Sequence, residues 1–163
     1  NAKKIMLKTK CDAVKLEGGK KIINIIKNLI KNKIPVMGHL GVLPQSQRGK
    51  FKYKGKNLNE KNKILNDAKL LELAGAFSIV LECVETSLAK LITHTLSIPT
   101  IGIGASQHCD GQILVIDDLI GLNSINARFV KKYLNIKKFI SIAVSNFAKD
   151  VKKKNFPKKK HSY

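Results

Sequence analysis

Apolar positions along this chain keep two rhythms that take turns. Ile22, Ile23, Ile26, Leu29 and Ile30 recur at helical spacing up to Asn32. Ile64, Leu65, Ala68 and Leu71 repeat the spacing and stop at Gly75, and Leu88, Leu91, Ile92 and Leu96 repeat it again. Such spacing predicts helices with one buried face. Between them lie short, nearly unbroken apolar runs at residues 11–16, 34–38, 77–81, 98–104 and 113–116. Runs of that kind, bracketed by helices, read as strands buried on both faces. Residues 1–10 read as the end of a helix. Residues 126–152 read as a long one, with Phe129, Val130, Tyr133, Phe139, Ile140, Ile142, Ala143 and Phe147 facing inward. Strands separated by helices, with no hairpin signal, predict an α/β fold with a parallel sheet. An open doubly wound sheet and part of a (β/α)8 barrel both fit this pattern.

Local signals sharpen the boundaries. Asn57 with Glu60 three residues on is a capping-box variant. Thr86 or Ser87 is expected to cap the helix that follows the third strand. Ile34-Pro35-Val36-Met37-Gly38 is weakly echoed by Ile98-Pro99-Thr100-Ile101-Gly102, as recurring βα units would give. Residues 40–55 are polar and Lys-rich, with almost no periodicity, and predict a loop of the kind that covers substrates. The 163 residues predict one domain, with a Lys-rich solvated tail at 153–163. The first residues lack an initiating Met and resemble the middle of an amphipathic helix, so further chain is expected upstream.

Charge adds a competing reading. The formal net charge is +20, from 31 basic and 11 acidic residues, which raises nucleic-acid binding. Only Arg48 and Arg128 are arginines, however, and the lysines are spread over nearly every helix instead of one stripe. Bidentate contacts to nucleic acid favour Arg, so drift toward Lys is the preferred explanation. Cys11, Cys83 and Cys109 form no C-x-x-C pair, which argues against a zinc site or a disulfide framework and fits a reducing, cytoplasmic setting. No apolar run is long enough to span a bilayer.

The candidate chemistry lies where strands end. Glu82 follows the apolar run at 77–81, and a carboxylate there is costly unless it is paired, protonated or working. Parallel α/β folds do their chemistry at the C-terminal ends of strands. Burial beside Leu81 and Val84 would raise the Glu82 pKa and suit it to act as a base. Lys15 and Glu17 are two apart on a strand and so share a face. They read either as a structural ion pair or as groups for an anionic substrate and a metal, Glu17 being suited to Mg2+. His39 reads as an acid/base or substrate donor, or as a histidine that satisfies nearby backbone groups. Together these residues suggest proton removal next to a carbonyl, with a metal and a cation offsetting the enolate charge. Gly102-Ile103-Gly104 is followed by Gln107 where a dinucleotide fingerprint needs Gly, and Cys83 has no visible base. His94, His108 and His161 have no partner visible in the sequence.

Five segments, in order, resemble one family: Val14-Lys15-Leu16-Glu17-Gly18-Gly19; Ile34-Pro35-Val36-Met37-Gly38-His39-Leu40-Gly41 with Pro44-Gln45-Ser46; Ala74-Gly75-Ala76-Phe77 through Leu81-Glu82-Cys83-Val84; Ile98-Pro99-Thr100-Ile101-Gly102-Ile103-Gly104-Ala105 with Cys109-Asp110-Gly111-Gln112; and Phe156-Pro157 with His161-Ser162. The ordered set is similar to ketopantoate hydroxymethyltransferase. The resemblance implies a (β/α)8 TIM barrel in a large homo-oligomer, a decamer in the family. It implies transfer of a hydroxymethyl group from methylenetetrahydrofolate to Mg2+-bound 2-oxoisovalerate, on the route to pantothenate and coenzyme A. By the same resemblance Glu82 is the proton acceptor, Lys15 contacts the keto acid, His39 lies close to it and Glu17 belongs to the metal site. Two family aspartates of that metal site, in Gly-Asp-Ser and Asp-x-Pro-Phe segments, would precede Asn1. The chain would then hold strands four to eight, a partial barrel with two unpaired edges. A fragment of a longer enzyme, an inactive remnant and a basic nucleic-acid binder are the competing expectations.

Overall fold

The computed structural model describes residues 1–45, 52–124 and 127–163. The chain condenses into two compact units, Asn1–Ile113 and Leu114–Tyr163.

The first unit holds helix α1 (Ala2–Thr9), strand β1 (Val14–Glu17), helix α2 (Ile23–Lys31), strand β2 (Val36–Gly41), helix α3 (Leu58–Leu73), strand β3 (Ser78–Glu82), helix α4 (Thr86–Thr95) and strands β4 (Thr100–Ile103) and β5 (Gly111–Gln112). The five strands form one sheet in the order β1-β2-β3-β4-β5, every pair parallel. A doubly wound sheet must reverse its strand order at a switch point. Here each strand lies beside its predecessor without reversal, as successive βα units of a barrel do. The fold is therefore α/β of partial TIM-barrel type, and the doubly wound alternative is excluded.

Strand parity decides what the sheet buries. Val36 and Leu40 of β2, with Ile79 and Leu81 of β3, pack against Ile26 of α2, Ile64, Ala68 and Leu71 of α3, and Leu88, Ala89 and Ile92 of α4. Val14 and Leu16 extend this layer on β1. Since side chains alternate across a strand, Lys15, Glu17, Met37, His39, Val80 and Glu82 fall on the opposite face.

The capping signal at α3 is present: Asn57 accepts a hydrogen bond from the Glu60 N–H at 2.9 Å. The Glu60 carboxylate reaches back to the Gly55 and Lys56 N–H groups at 2.7 and 3.0 Å. The α4 cap differs from expectation. Glu85 is the N-cap, accepting from the Ser87 and Leu88 N–H groups, and the Ser87 hydroxyl donates to it at 2.6 Å. A carboxylate fills the role because it meets two free N–H groups at once and suits the positive helix end.

Several boundaries move. β1 and β2 start later than residues 11 and 34 and run on through Glu17 and Gly41, so Glu17 and His39 lie within strands instead of just past them. Polar side chains are tolerated there because that face is not the helix-packed one. The last strand is Gly111–Gln112, whereas the stretch predicted as strand at 113–116 leads into a short helix. The predicted loop at 40–55 begins after Gly41. Its 46–51 portion, including Arg48, Gly49 and Lys50, lies outside the described residues.

The second unit contains α5 (Ile116–Leu119) and α6 (Ile136–Lys152). Asp117 and Asp118 open α5, where their charge complements the helix N-terminus. Residues 127–135 are not helical, and α6 starts at its cap Asn135, so the helix is shorter than predicted. Its predicted inward residues Phe139, Ile140, Ile142 and Phe147 are exposed, and no residue of α6 is buried. An apolar helix stripe is buried only against a second layer, and the described residues of this unit set Phe156 against Phe147 without burying any residue of α6.

Candidate active site

The face of the sheet turned away from the helices gathers the ionisable groups. Register sets Glu17 beside His39 and His39 beside Val80, and one pleat further on it sets Gly41 beside Glu82. Lys15 lies one pleat before Glu17 on the same face. All four predicted site residues are therefore brought to one face near the C-terminal ends of β1, β2 and β3.

The imidazole of His39 sits between two carboxylates. Its Nε2 is 3.2 Å from Glu82 Oε2 and its Nδ1 is 3.7 Å from Glu17 Oε1. The side chains of His39, Glu17 and Glu82 are 1%, 9% and 18% exposed. Neither contact has hydrogen-bond geometry, and both ring nitrogens are buried without a partner. Two carboxylates so near favour a charged ring, but burial and then the Lys15 ammonium oppose it and hold the His39 pKa down to about 4. The ring is neutral near pH 7. Glu82 moves the other way: burial first, and the charge of Glu17 after it, push its carboxyl above the ordinary range, with Lys15 opposing. An elevated carboxylate beside a cation has the electrostatics of a general base that holds a proton in passing.

The backbone around Glu82 is tied down. The Val42 N–H donates to the Glu82 carbonyl at 2.8 Å, the Lys54 N–H to the Cys83 carbonyl at 2.8 Å, and the Glu85 N–H to the Lys54 carbonyl at 2.9 Å. Both described ends of the loop after β2 are thus fastened to the segment that carries Glu82. The Gln45 N–H donates to Glu17 Oε2 at 3.2 Å, covering that carboxylate from the same loop. Gly41, at φ 98°, faces the Glu82 carbonyl so closely that a Cβ there would lie 2.1 Å from the oxygen. Cys83 adopts φ 49°, uncommon for a residue with a side chain. Burial and the Glu82 charge push its thiol up, away from the thiolate a nucleophile needs.

Other expectations fall outside this cluster. His94, His108 and His161 are exposed and do not join it. Space at Gly102, within β4, is taken up by Gln112 and Cys109 side chains. Among the described residues no group of three or more His, Cys, Asp or Glu side chains converges as a metal site. Toward a divalent cation they offer the oxygen atoms of Glu17 as a donor, and that set falls short of a complete site.

Two supports were not foreseen. Asp67 is buried in the α3 stripe and accepts from the Lys20 N–H at 2.8 Å, and a Cβ on Gly19 would overlap its carboxyl group at 2.1 Å. This contact fixes the turn that leaves β1 just after Glu17. An acid among Ile64, Ala68 and Leu71 at helical spacing was the available signal. Gly41 was the other, a Gly closing the strand that bears His39.

Comparison with known proteins adds an independent line. A family model described as ketopantoate hydroxymethyltransferase matches residues 1–159. Over 163 residues the chain is 71% identical to the 3-methyl-2-oxobutanoate hydroxymethyltransferase of Pelagibacter ubique, covering all of this chain and 63% of that relative. It is 49% identical over 166 residues to the enzyme of the same name from Chlorobium phaeobacteroides and 48% identical to that from Clostridium botulinum, covering 60% of each. The chain thus spans about three fifths of the length of the curated relatives it matches.

Proposed function

We propose that this chain, which belongs to the ketopantoate hydroxymethyltransferase family, carries the proton-abstracting part of an enzyme that adds a hydroxymethyl group to 2-oxoisovalerate. The relatives' name, 3-methyl-2-oxobutanoate hydroxymethyltransferase, gives the same keto acid under its systematic name. Methylenetetrahydrofolate is the expected one-carbon donor, by family resemblance.

In this reading Glu82 takes the hydrogen from the carbon next to the keto group. The electron pair left behind delocalises onto the keto oxygen as an enolate. That carbon then forms the new bond to the one-carbon unit as the unit's two bonds to the folate nitrogens break. Water supplies the hydroxyl, and the second water proton and the proton held by Glu82 go to the two nitrogens released. Lys15, whose charge already acts on both His39 and Glu82, is the cation available to the keto acid and to the developing oxyanion. Glu17 is proposed as one ligand of Mg2+, with further ligands on family segments that precede the matched span. A bound Mg2+ ion would supply Lewis-acid polarisation of the keto oxygen. The single observation that carries the reading is the half-buried, proton-favouring Glu82 set on one sheet face with Lys15, Glu17 and His39. The exposed apolar face of α6 supports the expectation of a homo-oligomer.

The test is product formation by the full-length protein, meaning this chain joined to the remaining family length. With 2-oxoisovalerate, methylenetetrahydrofolate and Mg2+ it is expected to release ketopantoate, and Lys15→Met is expected to need more keto acid for the same rate. A folded, oligomeric full-length protein that releases none would favour the inactive remnant.

A further inference from the structure

We propose that His39 is the positioning residue for Glu82, steadying its carboxylate through Nε2–H, and is not itself a contact for the keto acid. This rests on the reading of Glu82 as proton acceptor and assigns the machinery that aims it.

His39 is 1% exposed, and its two ring nitrogens are the buried side-chain polar atoms left without a partner among the described residues. An orphaned buried donor is destabilising, so a histidine at this position calls for a reason. With both nitrogens closed to solvent, the ring has no free edge for a ligand. Its backbone is held in place. β2 is paired on both edges, with β1 and β3, and the His39 carbonyl additionally accepts from the Gly18 N–H at 3.1 Å. The groups it can address are therefore the two it faces, Glu82 at 3.2 Å and Glu17 at 3.7 Å.

The shorter of the two contacts sets an Nε2–H toward Glu82, and Nδ1 lies beyond hydrogen-bond reach of Glu17. The Nε2 contact has the distance of a hydrogen bond without its alignment. Catalytic hydrogen bonds are often off-line before substrate arrives, and this one is expected to align when the keto acid binds. Aligned, the bond holds one carboxylate oxygen and leaves the other to meet the substrate hydrogen.

The experiment exploits amide shape in the full-length protein. Glutamine at position 39 places its amide N–H near the site of Nε2, and asparagine places it near that of Nδ1. His39→Gln is expected to retain most of the α-proton exchange rate, and His39→Asn to lose about 10- to 100-fold, the worth of a hydrogen bond to a charged group. KM for 2-oxoisovalerate is expected to stay unchanged in both. In a Glu82→Gln background, His39→Asn is expected to change the residual rate no further, since coupled residues are not additive. In the unmodified protein, 15N NMR of labelled histidine is expected to find the His39 proton on Nε2. Wild-type exchange by His39→Asn, a raised KM with kcat intact, or the proton on Nδ1 would each overturn the proposal. If neither variant folds, the position of that proton decides alone. Glu82→Gln retaining exchange would remove the base reading itself, whereas an inactive Glu82→Gln beside a fully active His39→Asn would remove only the role of His39.

Discussion

Replacing Gly41 by alanine is expected to displace Glu82 without touching its side chain. Gly41 closes β2 at φ 98°, where a residue with a Cβ is strained by about 1–2 kcal/mol. Its added Cβ would lie 2.1 Å from the Glu82 carbonyl oxygen and 2.8 Å from Val84 Cγ2. To reach an ordinary contact of 3.4 Å the oxygen must retreat by 1.3 Å, the difference between the two distances. That oxygen also accepts the Val42 N–H at 2.8 Å, a bond worth about 0.5–1.5 kcal/mol, which such a retreat would break. Strain and the lost bond together come to about 1.5–3.5 kcal/mol of stability. The catalytic consequence is larger, because a misplacement of about 1 Å in a reacting group costs about 100-fold in rate. The assay pairs urea unfolding with α-proton exchange on 2-oxoisovalerate, both in the full-length protein. Gly41→Ala is expected to lower stability by that amount and exchange by about two orders of magnitude. Unchanged exchange in a folded Gly41→Ala protein would refute the idea that the tie between β2 and β3 aims the carboxylate.

Three further outcomes follow from the same geometry. Lys15→Met is expected to raise KM for the keto acid about 10- to 100-fold, as loss of a charge-assisted contact, in steady-state kinetics against keto-acid concentration. Glu82→Gln is expected to be more stable than the parent near pH 7. The raised folded-state pKa of Glu82 means that its contribution is present below the ordinary value of 4.5 and is lost as pH rises through the raised one, so the gap in unfolding midpoints should close on acidification. Leu81→Ala, at a side chain with 0% exposure in the sheet–helix core, is expected to cost about 3–5 kcal/mol in chemical denaturation.

Much of this arrangement was legible in the residues. Period-two spacing put Lys15 and Glu17 on one face, and a lone acid at the end of a buried run marked Glu82, because burying an unpaired carboxylate is unfavourable enough to be informative. What stayed hidden was non-local. Whether successive strands lie in order or reverse is a matter of long-range pairing, so the apolar pattern alone fits both the barrel and the doubly wound sheet, and the barrel expectation rested on the family resemblance until the register bore it out. The contact of Asp67 with Gly19 and Lys20 spans 47 residues and leaves only a polar residue in an apolar stripe as its trace. At the end of the sheet, Ile113 to Ile116 has the composition of a strand, yet two acids just beyond it favour a helix start. The apolar face of α6 read as core because composition reports a preference for burial and does not say what supplies the cover.

Deuterium uptake at the α-carbon of 2-oxoisovalerate, followed by proton NMR in heavy water with Mg2+ and without folate, probes Glu82 most directly. The full-length protein is expected to exchange that hydrogen, and Glu82→Gln to slow it by about 100- to 10,000-fold, the usual worth of a general base, while keto-acid affinity is kept. Exchange by Glu82→Gln at the parent rate would contradict the assignment of Glu82 as the proton acceptor.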